Sequence, residues 1–207
     1  MGKQKEPISM QVLIFVEGDT DEIFFKALIE HYRKCSGKAL LPCSVCNLKG
    51  VTRYASKLLA KLKNEYLPEA RKKGVRIQTV CCSYDTDVFE VRNPLMIDWT
   101  ALKRGMKRLG VASFVQIGVE SSIEDWILDD VEGISAFLKL QSPPKSLKGL
   151  DGFAKMSELY AKARRTYQKG YASRELIAAL DMDKIIRKRK DALRPLEEAL
   201  GFVASIE

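Results

Sequence analysis

The segment Gln11–Glu17, with the sequence QVLIFVE, constrains the fold more than any other part of the chain. Its apolar residues follow one another without the alternation expected of a strand that faces solvent on one side. A short run of this kind is typical of a strand covered on both faces, as in parallel sheets. The next segment, Thr20–Lys34, has apolar residues at helical spacing. We therefore expect a buried strand followed by a helix.

The same order of strand and helix recurs up to about residue 122. Further strands are predicted at Leu41–Leu48, Val75–Tyr84 and Val111–Val119, and amphipathic helices at residues 50–73 and 98–109. Repeated strand–helix units predict a parallel sheet with helices on both faces. The predicted fold class is therefore α/β, with a parallel sheet of about four strands.

The last third of the chain has a different character. Residues 123–128 and 131–140 have helical spacing, the sequence QSPPKSLKG indicates a loop, and residues 150–204 are again helical, with breaks expected near Gly170 and Pro195. Residues 141–207 contain 14 Lys and Arg against 9 Asp and Glu, and so supply +5 of the net charge of +8. We predict an α/β domain at residues 1–140 and a basic helical C-terminal extension at residues 141–207. The excess of positive charge favours polyanionic partners such as nucleic acid.

The composition also indicates a cellular location. No apolar run approaches the roughly 20 residues that span a bilayer. The polar start MGKQKEPISM is unlike a signal peptide. The five cysteines are an odd number in no regular framework, which suits a reducing compartment. We expect a cytoplasmic protein with no membrane partner.

Acidic residues follow three of the four predicted strands. The first strand ends at Glu17, the third ends at Asp85 and Asp87, and the fourth leads into Glu120 and Glu124. The carboxyl ends of parallel strands meet at one edge of the sheet, where ligands bind in open α/β folds. Carboxylates gathered there repel one another unless a cation neutralises them, and oxygen donors suit Mg²⁺ or Mn²⁺. The structural alternative is that these acids cap helices, as Asp19 or Thr20 would at the first helix.

The segment VLIFVEGDTDEIFF resembles the opening of a TOPRIM domain, the metal-binding fold of topoisomerases, primases and certain nucleases. In that family one strand ends in Glu-Gly and a later strand ends in Asp-x-Asp, matched here by Glu17-Gly18 and by Asp85 and Asp87. The detail is most similar to the overcoming-lysogenization-defect (OLD) branch of nucleases. That branch has an acid four residues after the glutamate, here Asp21, and a Ser-x-Glu motif, here Ser122 and Glu124.

The resemblance implies a divalent-metal-dependent nuclease that hydrolyses phosphodiester bonds. Glu17, Asp85 and Asp87 would hold one Mg²⁺ or Mn²⁺. Asp21 and Glu124, with Ser122, would hold a second. A later lysine would be catalytic together with Glu17, Asp85 and Asp87; Lys169 is the first choice and Lys148 the second. Topoisomerase chemistry would need a tyrosine from another domain, so hydrolysis is the better interpretation.

One departure from the OLD branch concerns its ATPase domain. The chain reaches its first strand almost at once and contains no Gly-x-x-x-x-Gly-Lys-Ser/Thr phosphate loop. It thus resembles the stand-alone TOPRIM proteins of phage defence, and we expect any ATPase to be separately encoded. A homodimer is also expected from this branch. The alternatives are a toxin-like effector subunit held by a partner ATPase, and a non-catalytic nucleic-acid-binding module.

Two further patterns leave alternatives open. The run at residues 187–190 is either a phosphate-binding patch, in which Arg187, Lys188 and Arg189 would act with Lys148, or a solvated helix face. His31, Cys35, Cys43 and Cys46 hint at structural zinc. The last two cysteines are three apart in a predicted strand and so face opposite ways, which favours buried thiols.

Overall fold

The protein contains a four-stranded parallel sheet in the order β2-β1-β3-β4. The computed structural model describes residues 9–87, 97–168 and 172–203. The strands are β1 (Ser9–Val16), β2 (Cys43–Asn47), β3 (Val75–Asp85) and β4 (Ser113–Val119), and every neighbouring pair is parallel. The predicted α/β class with four parallel strands is confirmed.

Helices connect the strands and follow the last of them. They are α1 (Asp19–Cys35), α2 (Arg53–Lys61), α3 (Leu67–Lys72), α4 (Trp99–Arg108), α5 (Ile123–Ile127), α6 (Val131–Phe137), α7 (Gly152–Lys162), α8 (Arg174–Ala178), α9 (Met182–Lys188) and α10 (Lys190–Leu200). A π-helical turn at Leu62–Tyr66 joins α2 to α3, and a 3₁₀ turn at Leu128–Asp130 joins α5 to α6.

Strand β1 lies between two hydrophobic cores, as its continuous apolar sequence predicts. Val12, Ile14 and Val16 face a core formed with α1 and α5–α10, which we call the α1-side core. Leu13 and Phe15 face a second core formed with α2–α4. These five side chains are at most 1% exposed, and complete burial contributes roughly 1.5–3 kcal/mol for each large side chain. The predicted cover of helices on both faces is therefore confirmed.

The basic C-terminal helices pack into the same core as α1. Leu159 of α7, Ile177 of α8, Ile185 of α9 and Leu196 of α10 are all buried there with the apolar residues of α1. The predicted boundary near residue 140 thus marks a change of composition. The helices before and after it share one hydrophobic core.

The break expected at Pro195 is wrong. Pro195 lies inside α10, and the chain instead changes direction six residues earlier at Arg189, between α9 and α10. Proline removes one backbone hydrogen bond from a helix. Burial of Leu193, Leu196 and Leu200 on one side of α10 offsets that loss. The break expected near Gly170 lies outside the described residues.

Among the helices in the described ranges, none combines the length and the apolar character needed to cross a membrane.

Candidate metal site at the sheet edge

The two central strands, β1 and β3, are hydrogen-bonded neighbours whose connections run in opposite directions. From β1 the chain passes through α1 to β2 on one side, and from β3 it passes through α4 to β4 on the other. Such a reversal opens a crevice beyond the carboxyl ends of the two strands, the usual ligand site of open α/β sheets. Glu17 follows β1 directly, and Asp85 is the last residue of β3. Both predicted ligands therefore lie at this crevice.

Glu17 is held against the end of β3. Its Oε1 accepts a hydrogen bond of 3.1 Å from the backbone N–H of Asp85. Its own carbonyl oxygen accepts from the N–H of Gly50 at 2.8 Å, which ties the end of β1 to the loop after β2. At Gly18, an added Cβ would lie 3.1 Å from Oδ2 of Asp21. Glycine at this position therefore lets Asp21 approach the end of β1.

The segment after β3 is joined to the segment after β4. The Oδ1 of Asp85 accepts a hydrogen bond of 3.1 Å from the N–H of Ile123, the first residue of α5. The hydroxyl oxygen of Thr86 accepts from Ser121 N–H at 2.9 Å, and Asp87 N–H donates to the carbonyl of Ser121 at 3.2 Å. These bonds fix Asp85 and Asp87 beside the start of α5, where Glu124 lies.

Asp21 and Glu124 are the most deeply buried acids of the site, with exposures of 5% and 3%. Oδ1 of Asp21 is buried and has no hydrogen-bond partner. Oε1 of Glu124 accepts a hydrogen bond of 3.1 Å from the hydroxyl of Tyr167. A buried carboxylate oxygen without a partner costs free energy unless a proton or a cation compensates it.

We call Glu17, Asp21, Asp85, Asp87 and Glu124 the acidic edge. Burial, followed by the negative charge of Asp21, raises the pKa of Glu17 from 4.5 to about 8. Burial is also the main cause that raises the pKa of Asp85, and the charges of the other four acids raise it further. The pKa of Asp21 is raised by burial and by the charge of Glu124. The acids of this group are thus close enough for their charges to destabilise the ionised forms of Glu17, Asp21 and Asp85.

The acidic edge fits a hard divalent cation. It offers only oxygen donors, one of them the unpartnered Oδ1 of Asp21. In the described part of the chain, none of its five acids forms an ion pair with Lys or Arg. No three of its carboxylates have ligand oxygens that all lie within 4.8 Å of one another. Among the described residues, the ligand atoms of His31, Cys35 and Asp183 do lie that close. Binding a cation would therefore have to bring them closer together.

The hydroxyl of Ser122 donates to Oδ2 of Asp125, an acid outside the acidic edge, at 2.9 Å. The other oxygen of Asp125 lies 3.4 Å from Nζ of Lys155 in α7. The assignment of Ser122 as a metal ligand stays a prediction. Lys155 is a lysine close to the site that the sequence pattern did not indicate.

Of the two lysines proposed for catalysis, the structure describes only Lys148. Lys169 lies outside the described residues. On either side of it, Tyr167 donates to Glu124 and Ala172 N–H donates to Thr20 Oγ1 at 3.1 Å, so the chain is anchored at the acidic edge before and after that position. Lys148 is exposed in the loop before α7, and its backbone N–H donates to Glu158.

Two of the four basic residues at 187–190 are paired with acids. Arg189 forms ion pairs with Asp129 and Glu120, and its guanidinium lies 5.9 Å from the ring centroid of Trp126. Lys188 pairs with Asp129 at 3.4 Å. Arg187 is exposed. The phosphate-binding role of these residues stays a prediction, and Arg187 is the best placed of them to serve it.

Tyr54 of α2 is a further residue that sequence reasoning missed. It is fully buried, and its hydroxyl lies between the carbonyl oxygens of Phe15 at 3.0 Å and of Ser83. These carbonyls precede Glu17 and Asp85 by two residues each. Tyr54 therefore bridges the central strands just below the two acids. Its position as the second residue of a helix gives no hint of this contact.

Comparison with known proteins gives one loose likeness. No family model and no curated protein matches the chain. A solved structure of the C-terminal region of the OLD protein of Xanthomonas campestris pv. campestris is similar over 91% of this chain and 82% of that one, with 13% identity and a TM-score of 0.36. A likeness at this level does not establish a shared family or activity.

Proposed function

We propose that the chain is a divalent-metal-dependent nuclease whose active centre is the acidic edge. The observation that supports this most strongly is the gathering of five acids at the crevice between β1 and β3, with Asp21 and Glu124 buried and no basic partner for any of the five in the described part of the chain. Asp21 carries the clearest signal, because one of its carboxylate oxygens is buried and unpartnered. Acids that serve only structure are normally paired when buried.

The chain's own residues prepare the site for Mg²⁺ or Mn²⁺. Glu17, Asp85 and Asp87 would hold one ion, and Asp21, Glu124 and Ser122 would hold a second. When bound, such ions activate a water molecule and neutralise charge on the phosphate that is attacked. The N–H of Asp85 fixes one oxygen of Glu17, and the N–H of Ile123 fixes one oxygen of Asp85. The Tyr167 hydroxyl likewise orients Glu124.

Positive side chains complete the proposal. Lys169, with Lys148 as the second choice, would stabilise charge on the phosphate during hydrolysis. A groove of about 600 Å³ runs from Asp19 along α1 and α8; Arg174 lines it, and Lys26 there pairs with Glu22 at 2.5 Å. Arg174 and Arg187 would contact the phosphate backbone of DNA or RNA. The five cysteines, all of them in the described part of the chain, form no disulfide, in agreement with action in a reducing compartment such as the cytoplasm.

The biological setting is proposed from the TOPRIM and OLD resemblance. We propose that the nuclease is an effector of anti-phage defence, active alone or held by a separately encoded ATPase, and that it forms a homodimer. Co-purification with an ATPase would distinguish the held effector from the free nuclease. Failure to cut in any metal, together with intact nucleic-acid binding, would favour a non-catalytic module.

The test is incubation of the purified full chain with plasmid DNA, single-stranded DNA and tRNA. Mg²⁺, Mn²⁺ or a chelator is added to parallel samples. We expect cutting of at least one substrate with Mg²⁺ or Mn²⁺ and none with chelator. Asp85→Asn should not cut, whereas Asp191→Asn, at an exposed acid of α10, should cut as the wild type does. Cutting that survives the chelator, or that Asp85→Asn retains, would contradict the proposal.

A further inference from the structure

A second group of metal-ligating side chains lies at the other end of α1, away from the acidic edge. His31 and Cys35 are one turn apart near the end of α1, and Asp183 lies in the first turn of α9. Their ligand atoms lie within 4.8 Å of one another. Nε2 of His31 is 3.0 Å from Oδ1 of Asp183 and 3.5 Å from Sγ of Cys35.

The two separations that involve Nε2 of His31 agree with the spacing of ligands around a tetrahedral zinc ion. With Zn–N and Zn–O bonds of about 2.0–2.1 Å and a Zn–S bond of about 2.3 Å, neighbouring N and S ligands lie about 3.5 Å apart and neighbouring N and O ligands about 3.3 Å apart. The N–S separation here is 3.5 Å and the N–O separation is 3.0 Å. Small side-chain movements would therefore be enough to admit the ion.

A single ring nitrogen makes both contacts. Nε2 of His31 can carry one proton, so it cannot donate a separate, well-directed hydrogen bond to Asp183 and also accept one from Cys35. A cation at the centre would instead receive lone pairs from the imidazole, the thiolate and the carboxylate. The mixture of N, S and O donors favours zinc over magnesium.

The site is accessible and joins two parts of the chain. The side chains of His31 and Asp183 are 22% and 62% exposed, and Cys35 is half-buried. Cys43 and Cys46 do not belong to it, since Cys43 packs against the α1-side core and Cys46 lies in the other core, on opposite faces of the sheet as expected. The third ligand instead comes from a helix 152 residues away.

We propose that His31, Cys35 and Asp183 form a zinc site, with water as the fourth ligand, that fastens α9 to the end of α1. Other contacts also hold this end of α1 to the C-terminal segment; among them, the Tyr32 hydroxyl donates to Glu197 of α10 at 2.8 Å, and Gly37 N–H donates to the carbonyl of Val203. Zinc would add a further link between α1 and α9, and this link would require the Cys35 thiol and a supply of zinc. The site does not depend on the proposed nuclease activity.

Zinc binding is measured on the untagged, chelator-stripped full chain by competition with a chromophoric chelator. We expect one equivalent of Zn²⁺ with a Kd in the micromolar range or tighter. Cys35→Ser and Asp183→Asn should each weaken binding at least tenfold. Cys43→Ser, a matched change at a half-buried thiol outside the cluster, should bind as the wild type does. Asp85→Asn should also retain this binding, which separates the site from the acidic edge.

A second readout identifies the ligand. Co²⁺ substituted for zinc should give thiolate charge-transfer absorption in the wild type and in Cys43→Ser, but not in Cys35→Ser. Because Asp183 is largely exposed, Asp183→Asn tests the site even if Cys35→Ser fails to fold. Absence of zinc uptake by the wild type would overturn the proposal and leave a His31–Asp183 ion pair. Wild-type affinity in Asp183→Asn and in folded Cys35→Ser would also overturn it.

Discussion

Two groups of acids in this chain differ in their countercharge. In the acidic edge, where Asp21 and Glu124 are buried, backbone N–H groups and a tyrosine hydroxyl are the only donors to the carboxylates in the described part of the chain. At the junction of α5 and α6, Asp130 is buried and Asp129 half-buried, but there Arg189, Lys188 and Lys184 pair with them. We call this second group the paired acids.

The difference supports a structural role for the paired acids and the metal-binding role that we propose for the acidic edge. The paired acids obtain their countercharge from α9 and the residue after it, and so they fasten the C-terminal helices to the 3₁₀ turn after α5. The acidic edge obtains none from the described residues, and burial together with the charges of neighbouring acids raises the pKa values of Glu17, Asp21 and Asp85. Burial alone is therefore not the basis of our proposal; it rests on the lack of a countercharge at the crevice of the sheet.

The largest expected effect concerns cutting. Glu17→Gln keeps the size of the side chain but removes its negative charge, and should lower the cleavage rate more than about a hundredfold. Asp129→Asn, at a paired acid, should lower the rate little at temperatures where the variant is folded. Cleavage in Mn²⁺ and a melting curve are measured on the same preparations. Full cleavage by folded Glu17→Gln would place the chemistry elsewhere.

The second effect concerns stability, and its sign should differ between the two groups. Asp130 accepts hydrogen bonds from Asp181 N–H at 2.8 Å and Lys184 Nζ at 3.2 Å. Asp130→Asn should therefore lower the free energy of unfolding by about 1–3 kcal/mol. Asp21→Asn removes a repelled charge and should leave metal-free stability unchanged or raise it.

Urea unfolding in the presence of a chelator measures both variants. A large loss of stability in Asp21→Asn would show that its carboxylate is compensated within the protein, as the paired acids are.

The third effect is the pH dependence of the metal-free protein. Glu17 has its pKa raised from 4.5 to about 8 on folding. Between these values the folded protein keeps a proton that the unfolded chain has released, so stability should fall as the pH rises through this window. The slope is at most about 1.4 kcal/mol per pH unit for one such group. Glu17→Gln, or saturating Mg²⁺, should reduce the slope. An unchanged slope in Glu17→Gln would contradict the assignment.

The smallest effect concerns the binding of nucleic acid. Arg187 is exposed, so Arg187→Glu should weaken binding and lower the salt dependence by about 0.9 for the lost phosphate contact on duplex DNA. Charge reversal at Arg189 or Lys188 should act mainly on stability, because Asp129 pairs with both. Titrations at several salt concentrations, beside melting curves, separate the two outcomes. Binding unchanged in Arg187→Glu would mean that the run is a solvated helix face.

The sheet and its acidic edge could be predicted from local sequence. An uninterrupted apolar run such as Gln11–Val16 specifies a strand buried on both faces, and strand ends in a parallel sheet share an edge. The positions of Glu17 and Asp85 follow from these two facts. The distance between these two side chains and their hydrogen bonds do not follow from the same facts, because they depend on the register between strands.

The remainder depends on contacts between distant segments. The bridge made by Tyr54, the ion pair of Lys155 and the pairing of Arg189 with Asp129 each join residues with no shared local pattern. The run at residues 187–190 is basic in sequence whether it faces solvent or carboxylates, so its spacing could not distinguish these cases. Pro195 is tolerated in α10 because other side chains of that helix are buried in the core. A rule that considers the proline alone does not include this burial.

The contacts around the acidic edge also bear on the order of events during synthesis. Glu17 and Asp85 are 68 residues apart, and the bond from Ala172 to Thr20 spans 152 residues. Contacts between such distant residues form late in folding, because a long loop must first be closed. On the ribosome, the bond between Glu17 and Asp85 can form once residue 85 has been made, whereas the bonds from Tyr167 to Glu124 and from Ala172 to Thr20 need the last third of the chain. We expect a newly made chain to fix Glu124 and Thr20 in place only as the last helices dock.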